Sequence, residues 1–122
     1  MRKALMALVV LAALPQTAAA QQGITGRYQA LGTNFDGSQY RSFVEISAAS
    51  DVTCRIRWVD AQGRSGQDGI CMRSGAIVTA AYILNGKPGL IIYRQQDNGV
   101  LDGTWTVSGA SGTGREILSP VR

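Results

Sequence analysis

The chain contains no histidine and only two cysteines among its 122 residues. Without histidine it lacks the side chain that most often shuttles protons near neutral pH and most often binds metals. Two cysteines are too few for a four-thiolate zinc site. The chain also lacks the Gly-x-Ser-x-Gly turn of hydrolases and the phosphate-binding Gly-x-x-x-x-Gly-Lys loop. We therefore expect a protein that is not an enzyme and that uses no cofactor or metal. The eight carboxylates leave an acid/base pair open as the alternative, although a glycosidase usually needs a larger scaffold.

The charged residues form no basic cluster. Twelve basic and eight acidic residues give a formal charge of +4, which falls to +2 if the segment containing Arg2 and Lys3 is removed. The remaining basic residues are scattered, although Arg55 and Arg57 share one face of a predicted strand. Nucleic-acid-binding proteins concentrate basic residues in a patch or stripe. The sequence therefore predicts no nucleic-acid partner.

The first twenty residues have the layout of a secretory signal peptide. A positive start precedes eleven apolar residues from Ala4 to Leu14, and Ala18 to Ala20 supply the small residues of a cleavage site. Eleven residues are too few to span a hydrocarbon core of about 30 Å. We predict that residues 1–20 are cleaved and that residues 21–122 form a single domain. We expect the mature protein to be periplasmic or secreted, with no stable membrane insertion.

The rest of the chain alternates apolar and polar residues in short segments, which is the period of β-strands. In the third segment, for example, Val52, Cys54, Ile56 and Trp58 fall on one face. The predicted strands are Ile24–Leu31, Tyr40–Ser47, Val52–Val59, Gly66–Arg73, Ala76–Leu84, Gly89–Gln95, Val100–Val107 and Thr113–Leu118.

Tight turns separate these strands. Asp36-Gly37, Ser74-Gly75, Asn85-Gly86 and Asn98-Gly99 supply residues that accept the positive φ of hairpin turns. Short connections make consecutive strands antiparallel neighbours. The sequence thus predicts an all-β fold, a small antiparallel up-and-down barrel of about eight strands. The segment from Asn34 to Ser38 resembles a fragment of a calcium loop, but a hairpin turn explains it better.

Cys54 and Cys71 lie nearly opposite each other when the third and fourth strands fold into a hairpin. An exported protein meets an oxidising compartment, so we predict a disulfide between them. Two free core thiols and an intermolecular bridge are the alternatives.

Four aromatic residues are candidates for the barrel interior, where they would form either the core or the wall of a ligand site: Tyr28, Trp58, Tyr82 and Trp105. Aromatic residues are more often core, and together with inward-facing aliphatic residues these four look sufficient to fill a small barrel. This favours a filled interior, and an interior that stays open for a ligand is the alternative.

The last strand contains a candidate buried polar pair, Arg115 and Glu116. An inward Glu116 needs a partner, for which an arginine is the expected residue. An inward Arg115 could instead stack on Trp105 or Tyr28. Strand alternation allows only one of the two to face inward, and a solvated pair at the strand edge is the remaining alternative.

Several motifs together resemble a family of small exported proteobacterial proteins, largely uncharacterised and sometimes labelled fibronectin-binding: Gly26-x-Tyr28, Gly32-Thr33-Asn34-x-Asp36-Gly37-Ser38-x-Tyr40, Gly103-Thr104-Trp105 and Gly112-x-Gly114-x-Glu116-x-Leu118. The resemblance covers nearly all of the chain after the signal peptide. It implies a calycin-like barrel and carries over no catalytic residues. The sequence departs from the family in Arg41-Ser42 and in its cysteine pair.

Three functions follow as hypotheses. The first is a non-enzymatic binding protein that contacts a protein partner, such as a host-matrix protein of the fibronectin type or an envelope protein. The second is a carrier that holds a small hydrophobic ligand inside the barrel. The third is an inhibitor of an exported hydrolase, acting through the Asp60–Asp68 segment or the Leu31–Ser38 loop.

Overall fold

The computed structural model describes residues 23–122, so the predicted signal peptide lies outside the described residues. The strands are β1 (Gly26–Thr33), β2 (Gln39–Ala48), β3 (Thr53–Val59), β4 (Ser65–Ser74), β5 (Ile77–Leu84), β6 (Lys87–Gln95), β7 (Leu101–Val107) and β8 (Gly114–Pro120). Each strand pairs antiparallel with the next, and β8 pairs with β1 to close the barrel. The predicted eight-stranded up-and-down barrel is confirmed, because short hairpins leave each strand beside its neighbour.

The predicted hairpin glycines adopt the left-handed conformation that tight turns require. Gly37 and Gly99 have φ values of 86° and 85°, and Asn85 and Gly86 have values of 50° and 77°. In the first turn, the Asp36 carboxylate accepts hydrogen bonds from the Ser38 backbone N–H at 2.9 Å and from its hydroxyl at 2.6 Å. These hydrogen bonds lower the pKa of Asp36. The carboxylate thus stabilises a hairpin turn, as the sequence predicted.

The two ends of the barrel differ in packing. Turns that follow odd-numbered strands lie at one end, which we call the open end, and those that follow even-numbered strands lie at the other, the filled end. Inward-facing residues near the filled end, such as Tyr28, Ile46 and Leu101, are buried. Those nearest the open end, such as Trp58 and Leu84, are only partly buried. The hydrophobic core therefore occupies the filled end and the middle of the barrel.

The predicted disulfide joins Cys54 on β3 to Cys71 on β4. The two residues are register partners near the filled end, with their Cα atoms 4.9 Å apart.

The face predicted for the third strand is wrong at one position, since Val52 is exposed and precedes β3. The bend before Thr53 turns Val52 away from the interior. Within residues 23–122 no helix has the length and hydrophobicity needed to cross a membrane.

Candidate ligand-binding site

The open end of the barrel contains a cavity of about 250 Å³. Its lining combines aromatic, aliphatic and polar side chains from seven strands and the first turn: Asn34, Tyr40, Ser42, Trp58, Gln67, Tyr82, Leu84, Ile91, Trp105 and Glu116. The expectation that large side chains fill the whole interior is therefore wrong for this half of the barrel. The reason lies in where the aromatic rings are placed.

Four inward-facing glycines each lie directly opposite an aromatic residue on the neighbouring strand: Gly32 opposite Tyr40, Gly89 opposite Tyr82, Gly103 opposite Tyr93, and Gly114 opposite Trp105. A Cβ atom added at any of these glycines would lie between 1.8 and 2.6 Å from the facing ring. Each ring thus covers the glycine backbone along the barrel wall. Because the rings lie along the wall, the centre of the open half is left free.

Two of these pairs position hydrogen-bond donors around Glu116. Glu116 lies opposite Gly32 on β1 and opposite Gly103 on β7. Tyr40 lies on β2, on the far side of β1, and Tyr93 lies on β6, on the far side of β7. Each side chain extends over the intervening glycine towards Glu116. The Tyr40 hydroxyl donates to Glu116 Oε1 at 3.1 Å, and the Tyr93 hydroxyl donates to Oε2. Five adjacent strands therefore build one polar layer around a single carboxylate.

Trp58 completes this layer from another part of the barrel wall. Its indole Nε1–H lies 3.1 Å from each carboxylate oxygen of Glu116. Glu116 is only 1% exposed, so these donors replace the water that would otherwise solvate it. The three donors come from neutral side chains, and among residues 23–122 no ion pair involves Glu116.

The structure corrects the predicted partner of Glu116. Arg115 faces outward, because adjacent residues of a strand point to opposite sides. Its guanidinium donates to Asp102 at 2.7 Å on the outer surface, so the arginine neither pairs with Glu116 nor stacks on the expected aromatic rings. Tyrosine hydroxyls and an indole take the place of the arginine that the sequence suggested.

Burial controls the ionisation of this layer. Removal from water raises the pKa of Glu116, and the hydrogen bonds from Tyr93, Trp58 and Tyr40 oppose that rise. Burial and the neighbouring carboxylate raise the pKa of Tyr40 and Tyr93, and they raise that of Tyr82 to about 12. The tyrosine hydroxyls therefore keep their protons and act as donors at neutral pH.

Three of the four aromatic candidates line the cavity, and the fourth does not. The rings of Trp58 and Tyr82 meet edge to face with their centroids 5.4 Å apart, and Trp105 packs against Phe35 at the rim, with 4.7 Å between ring centroids. Tyr28 lies towards the filled end, where its hydroxyl donates to the Ile24 carbonyl at 2.6 Å.

Sequence reasoning missed Tyr40, Ser42 and Tyr93 as residues of this site. Tyr40 and Tyr93 each face a glycine across a hairpin, and that pairing is the sequence signal that could have identified them. Ser42 carries no such signal. Its Oγ lies beside the cavity, shielded from solvent and without a hydrogen-bond partner.

Comparison with known proteins supports the fold. No protein family matches the sequence, and no curated protein matches it. Among solved structures, a de novo designed fluorescence-activating β-barrel is similar, with a TM-score of 0.59, 16% identity, and coverage of 80% of this chain and 93% of the design. The wild-type fluorescent protein UnaG has a TM-score of 0.51, 9% identity, and coverage of 80% and 96% respectively. These similarities establish a closed, calycin-like barrel as the architecture of residues 23–122.

Proposed function

We propose that this protein is a non-enzymatic binding protein that carries a small molecule in the open end of its barrel. The observation that supports this proposal is the cavity itself, about 250 Å³ in volume, with aromatic walls and the Glu116 carboxylate in its lining. Ligand sites typically combine apolar walls with a few fixed polar groups. The carrier hypothesis therefore takes precedence over the protein-contact hypothesis that the sequence favoured.

The polar groups of the cavity would orient the ligand. Glu116 is held in place by its three donors, so binding need not first order that side chain. The Ser42 hydroxyl, which has no partner within the protein, can donate to or accept from a ligand. A flat ligand with at least one polar group would contact the rings of Trp58 and Trp105, with that group directed towards Glu116 and Ser42.

Intrinsic fluorescence tests this proposal directly. The chain has two tryptophans, and both line the cavity, so ligand binding there should change the whole tryptophan signal. We expect 1-aminoanthracene, a neutral planar fluorophore, to quench tryptophan emission saturably. Ser42→Leu, which extends into the cavity, should weaken this binding by about tenfold or more, a loss of at least ~1.4 kcal/mol.

Asp102→Asn is the matched control, because it removes a polar contact on the outer surface and should leave probe binding unchanged. Saturable binding that is equal in the wild-type protein and in Ser42→Leu would show that the cavity is not the binding site. Absence of binding by this probe and by other planar molecules would overturn the carrier function.

A second candidate function, contact with a protein partner, is supported by apolar residues on the outer wall. Ile70 and Leu90 are exposed on either side of Ala81, and Met72 and Ile92 are exposed on either side of Thr79 in the same sheet. Exposed apolar patches of this kind mark interaction surfaces. The resemblance to the exported family makes a fibronectin-type matrix protein the partner to test.

Immobilised fibronectin provides that test. We expect the wild-type protein to bind and the double variant Ile70→Ser, Leu90→Ser to bind more weakly, since both changes remove apolar surface from the outer wall. Ser42→Leu, which alters only the interior, should bind fibronectin as the wild type does. Lack of wild-type binding would exclude this matrix partner.

Inhibition of an exported hydrolase stays a prediction, based only on the exposure of the Asp60–Asp68 segment and the Leu31–Ser38 loop.

Export is part of the proposal. It is supported by the signal-peptide pattern of residues 1–20 and by the Cys54–Cys71 disulfide, which is typical of oxidising compartments. Membership of the exported proteobacterial family rests on the motif resemblance alone. N-terminal sequencing of protein from its own host should begin at Gln21, and a mature protein that retains Met1 would contradict cleavage.

A further inference from the structure

Building on the proposed carrier function, we infer that the ligand is an organic cation, an amine or a quaternary ammonium group attached to a compact apolar body. The inference rests on two features of the cavity: a carboxylate that no cation accompanies, and aromatic rings on several sides.

The first feature is the missing countercharge. A buried carboxylate is costly unless a cation or several donors accompany it. Glu116 has three neutral donors, and the arginines in the ion pairs of residues 23–122 all bind other carboxylates. Arg115, the nearest in sequence, points outward to Asp102. A ligand cation in the cavity would supply the positive charge that the protein does not.

The second feature is the aromatic lining. Four rings line the cavity, those of Tyr40, Trp58, Tyr82 and Trp105. Trp58 meets Tyr82 at an interplanar angle of 64°, and Tyr40 meets Trp105 at 71°, so the rings form walls at steep angles to one another. The electron-rich faces of aromatic rings attract cations, and several rings around one site form a cage that suits an ammonium group.

The polar groups of the lining also favour a cation. Three donors make four contacts to the Glu116 carboxylate, since Trp58 lies within hydrogen-bond distance of both oxygens, so these donors occupy its lone-pair sites. The Ser42 Oγ is an acceptor without a partner. An anionic ligand finds the opposite conditions, because the tyrosine hydroxyls already donate to Glu116 and the carboxylate would repel it.

The ionisation of Glu116 should then be coupled to binding. The titratable groups that face it are Tyr40, Tyr82 and Tyr93, whose raised pKa values keep them neutral at physiological pH. Burial raises the pKa of Glu116 in the free protein, and a bound cation would lower it again by favouring the charged form. Affinity for a cation should therefore increase with pH until the carboxylate of the free protein is ionised.

A matched pair of ligands tests the inference. Benzyltrimethylammonium carries a permanent charge, and neopentylbenzene is its neutral isostere, so the two differ in charge and hardly in shape. At an alkaline pH where the Glu116 carboxylate is ionised, tryptophan quenching should show the cation binding at least about tenfold more tightly than the isostere. The preference should shrink at an acid pH where Glu116 is protonated, because the ligand does not titrate while Glu116 does.

Glu116→Gln keeps the size of the side chain and removes its charge, so it should abolish the preference at both pH values. Asp102→Asn should keep it. If the glutamine variant does not fold, the wild-type comparison between the two ligands and across pH decides alone. Equal binding of both ligands, or failure of the cation to bind while 1-aminoanthracene binds, overturns the inference and leaves the carrier function standing. Failure of all three probes overturns both.

Discussion

At the scale of single residues, Glu116 organises the interior of this barrel. Its carboxylate receives hydrogen bonds from residues 23, 58 and 76 positions away in sequence, namely Tyr93, Trp58 and Tyr40. Those bonds fasten β8 to β6, β3 and β2. Breaking a fully bonded polar network would leave buried donors without partners, which is costly. The same residue therefore serves the stability of the barrel and the chemistry of its cavity.

The raised pKa of Glu116 predicts a particular pH dependence of stability. Because the folded-state pKa lies above the ordinary value of 4.5, the folded protein holds a proton that the unfolded chain releases. The stability contributed by Glu116 should thus fall as pH rises from 4.5 to its folded-state pKa and level off above it. The melting temperature of the wild type minus that of Glu116→Gln should therefore fall as the pH is raised across this range.

Asp102→Asn controls for the loss of a carboxylate in that experiment, and its melting curve should follow the wild type through the same window. A constant difference between the wild type and Glu116→Gln at every pH would contradict a raised pKa. A difference that changes in the opposite direction would indicate that the hydrogen bonds outweigh burial and lower the pKa.

At the scale of strands, the glycine–aromatic pairs decide where side chains can lie. Gly32 and Gly103 flank Glu116 on its two neighbouring strands, and their lack of a side chain is what lets Tyr40 and Tyr93 reach it. The structure shows this close approach between paired strands, where each glycine lies opposite an aromatic residue.

Gly103→Ala tests this arrangement. Its Cβ would lie 2.6 Å from the Tyr93 ring and 3.1 Å from the backbone oxygen of Glu116, so the ring has to move. We expect a loss of about 2 kcal/mol in the free energy of unfolding, in the range of other overpacked cores. Denaturant unfolding measures it. Gly112→Ala, where nothing lies within 4 Å, is the control and should be neutral or slightly stabilising.

A Gly103→Ala protein as stable as the wild type would show that the Tyr93 ring can be displaced without cost. The role assigned to the glycine–aromatic pairs in building the polar layer would then be wrong.

At the scale of the whole molecule, the filled core and the cavity lie at different ends of the barrel. The filled end contains the disulfide and buried aliphatic side chains, whereas the open end contains the cavity. Cavity walls contribute less packing than a filled core. A barrel with one open end therefore depends on the other end for much of its stability.

Removal of the disulfide is predicted to affect stability without abolishing binding. Cys54 and Cys71 are separated by 17 positions in sequence. A loop of this length corresponds to a loss of about 3 kcal/mol when both are replaced by serine, mainly because the unfolded chain gains freedom. Chemical denaturation should show this loss, while 1-aminoanthracene affinity, measured where the variant is folded, should stay within about twofold of the wild type, a shift well under 1 kcal/mol. A large drop in affinity would mean that the two ends are coupled.

The number, order and pairing of the strands were determined by the sequence alone. Period-2 segments such as that from Cys54 to Trp58, separated by turns such as Asn85-Gly86, make antiparallel neighbours by local chemistry. Only the tertiary structure decided what surrounds Glu116 and whether the interior is filled. Closure of the barrel brings β8 beside β1, and the register across five strands aligns Tyr40, Gly32, Glu116, Gly103 and Tyr93 in one layer. That register results from the packing of all eight strands together, so no local pattern contains it.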